Sequence, residues 1–203
     1  MDRFILEIPN FLPPDLCKEL IDRFKSVEHT LEHGILRYKT DKNKYTEFKK
    51  PNLECNISNH PLFRDLDSEL SNRFTTACNM YLDHLDCEFD HNKKPLPHTF
   101  VEVLSIDNMI DRGYLIHKIP PGSSYEWHVD NDPRSDQKSF IQFILYLNTL
   151  ELDEGGTTEF ANGRKVKPEV GKLLIFPCSW TFPHSGNEVK CKDKFIIATI
   201  FNV

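Results

Sequence analysis

Short apolar or alternating runs, separated by turn-forming residues, fill the chain from about residue 98 onward and constrain its fold more than any other feature. Six of these runs have the length of strands: 113–119, 125–130, 140–147, 157–160, 172–176 and 195–201. The segments between them contain the turn-forming pairs Pro-Gly, Gly-Gly and Asn-Gly. Runs of this length and spacing predict an antiparallel sandwich or barrel.

Two apolar stripes in the first half of the chain predict helices that pack as a layer against this sheet. The first helix begins at Pro13-Pro14-Asp15 and ends near Lys25. Its apolar face is made by Leu16, Leu20, Ile21 and Phe24. The second stripe runs over 62–85 without Pro or Gly. Between the helices, residues 37–51 are rich in Lys, Thr, Asn and Asp, which predicts an exposed loop and a candidate lid.

Length, charge and cysteine content exclude several classes of protein. We expect the 203 residues to form a single domain, with helical support and loops over 1–98 and a β-rich core over 99–203. The net charge of −6 offers no electrostatic surface for nucleic acid. Six cysteines without C-x-x-C spacing are expected to be reduced thiols. The sequence shows neither a signal-peptide pattern nor an apolar run of about 18 residues, so we expect a cytoplasmic protein that crosses no membrane.

One histidine-aspartate pair in the predicted sheet has the spacing of metal ligands. His128 and Asp130 are two residues apart, and such residues of a strand point to the same side. A third ligand must come from elsewhere in the chain, and His184 lies 54 residues beyond Asp130, about four strand lengths later. Two imidazoles and one carboxylate form the facial triad of non-haem Fe(II) oxygenases, which leaves positions open for a co-substrate and O₂.

A lysine at the start of the last strand and a possible zinc site are the remaining candidate sites. Lys194 leads directly into the apolar run 195–201, where a buried and unpaired ammonium group would cost free energy. We therefore expect it to meet an anion, unless it lies at an exposed strand end. The candidate zinc ligands are Cys78, His84, Cys87 and His91. Their spacing matches no standard zinc finger, which disfavours a zinc site.

The second half of the chain resembles the prolyl 4-hydroxylase branch of the 2-oxoglutarate and Fe(II)-dependent oxygenases. The matching segments are PPGSSYEWHVD (120–130), YLN (146–148), EGGTTEF (154–160) and GKLLIF (171–176), followed by His184 and Lys194. Residues 11–21 are more loosely similar to the opening helix of that family. The resemblance implies a mainly β fold, a double-stranded β-helix or jelly roll, with flanking α-helices. It also implies Fe(II), 2-oxoglutarate and O₂ as cofactors and co-substrates, and allows ascorbate as a reductant.

The resemblance further implies a role for individual residues. His128, Asp130 and His184 match the catalytic iron ligands, and Lys194 matches the residue that pairs with the distal carboxylate of 2-oxoglutarate. Thr158 matches a hydrogen-bonding neighbour of that co-substrate. Tyr125 matches an aromatic residue that faces the substrate.

Three positions depart from the family pattern. Ile119 replaces a co-substrate-binding tyrosine, for which Tyr114 or Tyr146 could substitute. Ser139 replaces a substrate-side arginine, and Ile200 replaces a tryptophan.

The predicted reaction is hydroxylation of a C–H bond with release of succinate and CO₂, and a prolyl residue of a protein or peptide is one candidate substrate. The alternatives are hydroxylation of a free amino acid or other small metabolite, and a jelly-roll metal-binding module without turnover. The retained Asp130 argues against a halogenase, since related halogenases have a small residue there. A second candidate lid, 131–138, follows the first two ligands directly. The oligomeric state stays open.

Overall fold

A computed structural model describes residues 2–41, 44–89, 109–131 and 138–202. Within it, helix α1 spans Pro14–Val27 and helix α2 spans Arg64–Phe89. Pro13 has an extended backbone and Pro14 occupies the first turn of α1, a position where the missing N–H is not needed. The predicted helical layer is confirmed. The predicted boundary between helical support (1–98) and β-rich core (99–203) lies outside the described residues, as does the candidate lid at 131–138 apart from its two end residues.

The remaining regular structure is a set of short strands and single-turn 3-10 helices. The strands are β1 (Leu6–Ile8), β2 (Glu32–Asp41), β3 (Lys44–Asn56), β4 (Ile110–Asp111), β5 (Leu115–Ile119), β6 (Tyr125–His128), β7 (Ser139–Tyr146), β8 (Thr158–Phe160), β9 (Lys165–Val166), β10 (Leu173–Pro177), β11 (His184–Gly186) and β12 (Lys194–Asn202). The 3-10 helices are Asp2–Phe4, Glu28–Thr30, Pro61–Phe63 and Leu152–Glu154. Each of the six runs predicted as strands overlaps an observed strand.

The strands form two antiparallel sheets that face each other. The larger sheet has the order β1-β10-β7-β12-β5-β3-β2, with β4 also paired to β12. The smaller sheet has the order β6-β11-β8-β9. Two facing sheets flanked by helices confirm the predicted mainly β jelly roll with a helical support layer. Among the described helices, none has the length and apolar character needed to cross a membrane.

The prediction of an exposed loop at 37–51 was wrong, because this segment lies in the hairpin of β2 and β3. Strand β3 also pairs with β5, from Leu53 opposite Lys118 to Asn56 opposite Leu115. These pairings are made by backbone groups, which do not depend on an apolar side-chain pattern. A polar composition is therefore compatible with a strand at the border of a sheet.

Side chains of the larger sheet alternate between two apolar cores. One core lies between this sheet and the helices, and includes Phe74 of α2 and Phe195 of β12. The other includes Ile196 of β12 and Phe160 of β8, and therefore lies between the two sheets. Because Lys194 and Ile196 are two residues apart on β12, both point into the space between the sheets.

Candidate active site

Three side chains with metal-binding atoms converge at the paired ends of β6 and β11. His128 is the last residue of β6 and lies directly opposite His184, the first residue of β11. Asp130 follows β6 by two residues, in a bend. One potential ligand atom from each of the three residues lies within 4.8 Å of the others. Among the described residues, no other group of three or more histidine, cysteine or acidic side chains converges in this way.

Hydrogen bonds orient both imidazole rings toward Asp130. Nδ1 of His128 lies 2.7 Å from the carbonyl oxygen of Glu126, and Nδ1 of His184 lies 3.2 Å from that of Phe182. A carbonyl oxygen only accepts, so each Nδ1 donates and each Nε2 keeps its lone pair. Asp130 lies 3.7 Å from Nε2 of His128 through Oδ1 and 3.5 Å from Nε2 of His184 through Oδ2.

The electrostatics of this cluster suit a divalent cation. His184 is buried, and burial lowers its pKa, an effect that nearby Asp130 opposes and His128 adds to. A neutral imidazole is the form that binds a metal. Oδ2 of Asp130 is buried and has no hydrogen-bond partner among the described residues. A carboxylate that lies between two imidazole nitrogens, with its buried Oδ2 unpartnered, fits Fe(II) in a facial triad.

A second group of polar side chains lies between the sheets, at Lys194, Thr158 and Tyr146. The Tyr146 hydroxyl is 2.7 Å from Oγ1 of Thr158, and the Lys194 ammonium lies 5.4 Å from the centre of the Tyr146 ring. Lys194 is only 4% exposed and donates to the carbonyl oxygen of Gly156 at 2.6 Å. Burial lowers its pKa to about 7, and no acidic side chain of the described residues opposes that effect.

The metal cluster and the lysine cluster open onto the same space. Thr158 and Phe160 are two residues apart on β8, and Phe160 lies opposite His184 across the strand pair. The Phe176 ring packs against the His184 ring, with centroids 4.7 Å apart. Ile119 pairs with Lys194 across β5 and β12 and is buried between the sheets. The structure therefore brings the predicted iron ligands and the predicted co-substrate contacts into one site.

The structure distinguishes the two tyrosines that could replace a tyrosine at position 119. Tyr114 lies in the core beneath the helices, where its ring stacks on Phe74 and its hydroxyl donates to Asp111. Tyr146 instead lies beside Thr158 and Lys194. Of these two tyrosines, Tyr146 is thus the one positioned to contact a ligand held by Lys194.

The other residues that departed from the family pattern lie at different depths. Ser139 is buried as the first residue of β7. Ile200 is partly buried on β12. Trp127, which is not one of these positions, lies beside His128 on β6 and is 54% exposed, so about half of its surface is open to solvent.

Tyr125 connects the metal cluster to residues that the sequence did not single out. Its ring centroid is 6.3 Å from that of His128, and its hydroxyl donates to Oδ1 of Asn52. Asn52 is fully buried and in turn donates to Glu54. Both residues belong to β3, and the first falls directly after the segment predicted as a loop. Predicting β3 as a strand would have placed Asn52 and Glu54 on the same face of the sheet and so would have indicated both residues.

The alternative zinc ligands do not converge where they are described. Cys78 is buried, with Sγ 3.5 Å from Sδ of Met109. His84 is 2.8 Å from the carbonyl oxygen of Arg3, at the protein surface. The side chains of Cys87 and His91 lie outside the described part of the chain.

Comparison with known proteins identifies the segment that carries this site. Residues 114–202 match the family model of the 2OG-Fe(II) oxygenase superfamily. The matched residues make up less than half of the chain, so the resemblance to that superfamily is shown for this segment. The segment contains all three metal-binding candidates as well as Thr158 and Lys194.

One related sequence and several solved structures resemble this chain in part or over nearly its whole length. A PKHD-type hydroxylase of Synechococcus sp. (strain CC9902) is 29% identical over 68 residues, which are 32% of this chain and 31% of that protein. The match thus spans about a third of that relative. A Trichoplax adhaerens prolyl hydroxylase, solved with a peptide of hypoxia inducible factor, has a TM-score of 0.66 at 16% identity and covers 98% of this chain and 84% of its own.

Two further prolyl hydroxylases have the same fold. A viral collagen prolyl hydroxylase from Paramecium Bursaria Chlorella virus-1, solved as a 2-oxoglutarate complex, gives a TM-score of 0.61 at 16% identity and covers 98% of this chain and 96% of its own. A Pseudomonas putida prolyl-4-hydroxylase gives 0.60 at 16% identity, with 98% and 92% covered. At this identity the solved structures show the fold of the chain and not its activity.

Proposed function

We propose that this chain is an Fe(II)- and 2-oxoglutarate-dependent dioxygenase that hydroxylates a C–H bond and releases succinate and CO₂. The observation that carries the proposal is the convergence of His128, Asp130 and His184 within 4.8 Å, in a segment of the 2OG-Fe(II) oxygenase superfamily. A buried lysine facing the same space provides the second requirement, a partner for a dicarboxylate.

Each residue of the site has a definite task in this reaction. His128 and His184 would hold Fe(II) through Nε2, and Asp130 would hold it through a carboxylate oxygen. Iron bound there supplies the activation of O₂. Lys194 binds the distal carboxylate of 2-oxoglutarate by a charge-assisted hydrogen bond, and this contact restores the protonated ammonium that burial disfavours.

The surroundings of the site position the co-substrate and limit the access of water. The hydroxyl groups of Thr158 and Tyr146 form a buried pair beside Lys194 and can hydrogen-bond to a carboxylate. Phe160 and Phe176 pack around His184, with ring centroids 6.0 and 4.7 Å from it. Apolar walls of this kind strengthen the electrostatic contacts within the site.

The substrate that we propose is a prolyl residue of a protein or peptide. Support comes from the fold, since the three solved structures compared above are all prolyl hydroxylases. A free amino acid or another small metabolite is the second candidate. The observation that favours it is Ser139, which is short and buried at a position where the prolyl hydroxylase pattern has a substrate-side arginine.

Succinate formation after anaerobic reconstitution with Fe(II) tests the proposal. Purified protein is mixed with 2-oxoglutarate and then with O₂, in the presence of proline-containing peptides, free amino acids or neither. We expect succinate from the wild type and none from His128→Ala. Protein that binds neither Fe(II) nor 2-oxoglutarate would contradict the proposed activity, and metal binding without succinate from any candidate would favour the non-catalytic module.

A matched pair of lysine variants separates co-substrate binding from general damage. Lys194→Met should raise the KM for 2-oxoglutarate by about a hundredfold or more, because a charge-assisted contact is lost. Lys172→Met removes another buried lysine, one that already pairs with Glu7 and Glu169 at 3.1 and 2.6 Å. That control should leave the KM for 2-oxoglutarate unchanged.

A further inference from the structure

A polar cluster on β3 and β5 faces the space between the sheets, apart from the metal and lysine clusters. Leu53 and Cys55 of β3 pack against the core beneath the helices. Because side chains alternate along a strand, Asn52 and Glu54 point to the opposite side, toward the smaller sheet. His117 of β5 lies directly opposite Glu54 and is also buried.

Hydrogen bonds connect this polar cluster to Tyr125, which lies beside the metal site. Oε1 of Glu54 accepts from the Lys50 ammonium at 2.8 Å and from Nδ2 of Asn52 at 3.1 Å, and lies 3.8 Å from Nε2 of His117. Oδ1 of Asn52 accepts from the Tyr125 hydroxyl. Tyr125 belongs to the smaller sheet and Asn52 to the larger one. The contact therefore joins the two sheets at the edge of the candidate active site.

The ionised carboxylate of Glu54 sets the direction of the hydrogen bonds that link Glu54, Asn52 and Tyr125. Although burial alone would raise the pKa of Glu54, His117 and the hydrogen bonds from Lys50 and Asn52 lower it. A carboxylate only accepts, so the Asn52 amide must turn its nitrogen toward Glu54 and its oxygen toward Tyr125. An amide oxygen also only accepts. Tyr125 must therefore give its single hydroxyl proton to Asn52, which leaves the phenol oxygen with lone pairs alone.

We propose that Asn52 and Glu54 are positioning residues that hold the Tyr125 hydroxyl as a hydrogen-bond acceptor toward the substrate. This inference rests on the proposed function, since it takes the space beside His128 as the substrate site. A substrate that hydrogen-bonds to the Tyr125 hydroxyl must then present an N–H or O–H group. A prolyl nitrogen within a chain has no hydrogen, so the donor is the amide of a neighbouring residue or the amino group of a free amino acid.

Gly34 makes room for the carboxylate that controls this arrangement. A Cβ atom at residue 34 would lie 2.2 Å from Oε1 of Glu54, which is far closer than a van der Waals contact. Gly34→Ala should therefore displace the Glu54 carboxylate while leaving its charge and every residue of the site in place. Asn52→Leu is the direct counterpart, because it removes the acceptor of the Tyr125 proton at similar side-chain size.

Ultraviolet resonance Raman spectroscopy of the metal-free protein tests the direction of the hydrogen bond. The intensity ratio of the tyrosine doublet distinguishes a phenol that donates from one that accepts. Subtracting the spectrum of Tyr125→Phe isolates Tyr125 from the other tyrosines. We expect the donor ratio in the wild type, its loss in Asn52→Leu and a shift in Gly34→Ala. Glu188→Gln, a change at an exposed residue, should leave the ratio unchanged.

The kinetic arm uses a proline-containing peptide or an amino acid that stimulates succinate formation. Asn52→Leu should raise the KM for that substrate about tenfold, with the KM for 2-oxoglutarate unchanged. An acceptor ratio in the wild type, or an unchanged ratio in Asn52→Leu, would overturn the inference. If the Raman result is as expected but neither the wild type nor any variant makes succinate, the direction of the Tyr125 hydrogen bond stands, whereas the proposed function fails together with the substrate role that depends on it.

Discussion

Replacing Lys194 with Met should stabilise the ligand-free protein at neutral pH, although it removes the proposed co-substrate contact. Burial lowers the Lys194 pKa from its usual 10.5 to about 7. Each pKa unit corresponds to about 1.4 kcal/mol, so a pKa lowered by about 3.5 units means that burying the charged ammonium destabilises the fold by about 5 kcal/mol. Loss of the hydrogen bond to Gly156 offsets about 1 kcal/mol. The variant should therefore gain about 4 kcal/mol.

The pH dependence of this gain identifies its cause. Between about pH 7 and pH 10.5 the unfolded chain holds a proton on Lys194 that the folded protein has released. The free energy of unfolding of the wild type therefore rises with pH over this range, relative to the variant. The gain in the free energy of unfolding of Lys194→Met over the wild type should be complete below about pH 7 and should disappear as the pH approaches about 10.5. Urea denaturation of both proteins at about pH 6.5, 8 and 10 measures the difference.

Ligand binding and a control variant complete the experiment. With Mn(II), 2-oxoglutarate should stabilise the wild type but not Lys194→Met, since the ligand carboxylate is the partner that offsets the buried charge. Lys172→Met should instead destabilise the protein, because it removes the ion-pair partner of Glu169 and leaves Glu7 paired with Arg164 alone. A Lys194→Met protein that is less stable than the wild type at about pH 6.5, or a difference independent of pH, would refute the reasoning.

Further variants test the backbone, the core and the hydroxyl pair, and urea denaturation measures each of them. Gly171→Ala should lower the free energy of unfolding by about 3 kcal/mol or more, since Gly171 has φ +75° and an added Cβ would lie 2.1 Å from a backbone carbonyl oxygen. Gly163 has φ +86° but open space around it, so Gly163→Ala should lower the free energy of unfolding by only about 1 kcal/mol. Phe74→Ala should cost about 3 to 5 kcal/mol, because the ring is fully buried against three other aromatic rings. Thr158→Val should cost about 1 to 3 kcal/mol by leaving the buried Tyr146 hydroxyl unpaired, and adding Tyr146→Phe should recover part of that loss; additive effects would contradict the 2.7 Å contact.

Periodicity in the sequence predicted the long central strands closely. The runs 140–147 and 195–201 correspond to Ser139–Tyr146 and Lys194–Asn202, with ends that differ by a single residue. These strands are apolar on both faces because one face packs beneath the helices and the other packs between the sheets. The signal was strong because burial on both sides leaves little choice of residue.

The shortest and most polar strands could not be predicted in the same way. His184–Gly186 has three residues and no apolar alternation, and it becomes a strand only by pairing with β6 and β8. The hairpin of β2 and β3 has a polar composition that is common to loops. Its assignment depends on contacts with β5, which lie far away in sequence. For the same reason Asn52 and Glu54 were missed.

The candidate site could be predicted from the order of its motifs but not from the spacing of its residues alone. The pairing of His128 with His184 places the two rings 4.3 Å apart, which a separation of more than fifty residues does not imply. Tyr146 was one of two alternatives in the sequence. Its contact with Thr158 could be found only once β7 and β8 were seen to lie in different sheets that face each other.

The two ends of the proposed co-substrate site belong to different sheets, and this makes the core between the sheets part of the site. Lys194 belongs to the larger sheet, whereas His128 and His184 belong to the smaller one. The separation of the sheets is set by packed rings, since Phe176 of the larger sheet contacts both Phe160 and His184 of the smaller sheet, with centroids 5.0 and 4.7 Å apart. A change of volume at Phe176 should therefore alter the distance between the lysine and the metal ligands without replacing either. Closely packed protein interiors transmit such a change to neighbouring side chains. Substitution of Phe176 is therefore expected to lower both stability and co-substrate affinity, whereas substitution of Lys194 should raise stability and lower co-substrate affinity.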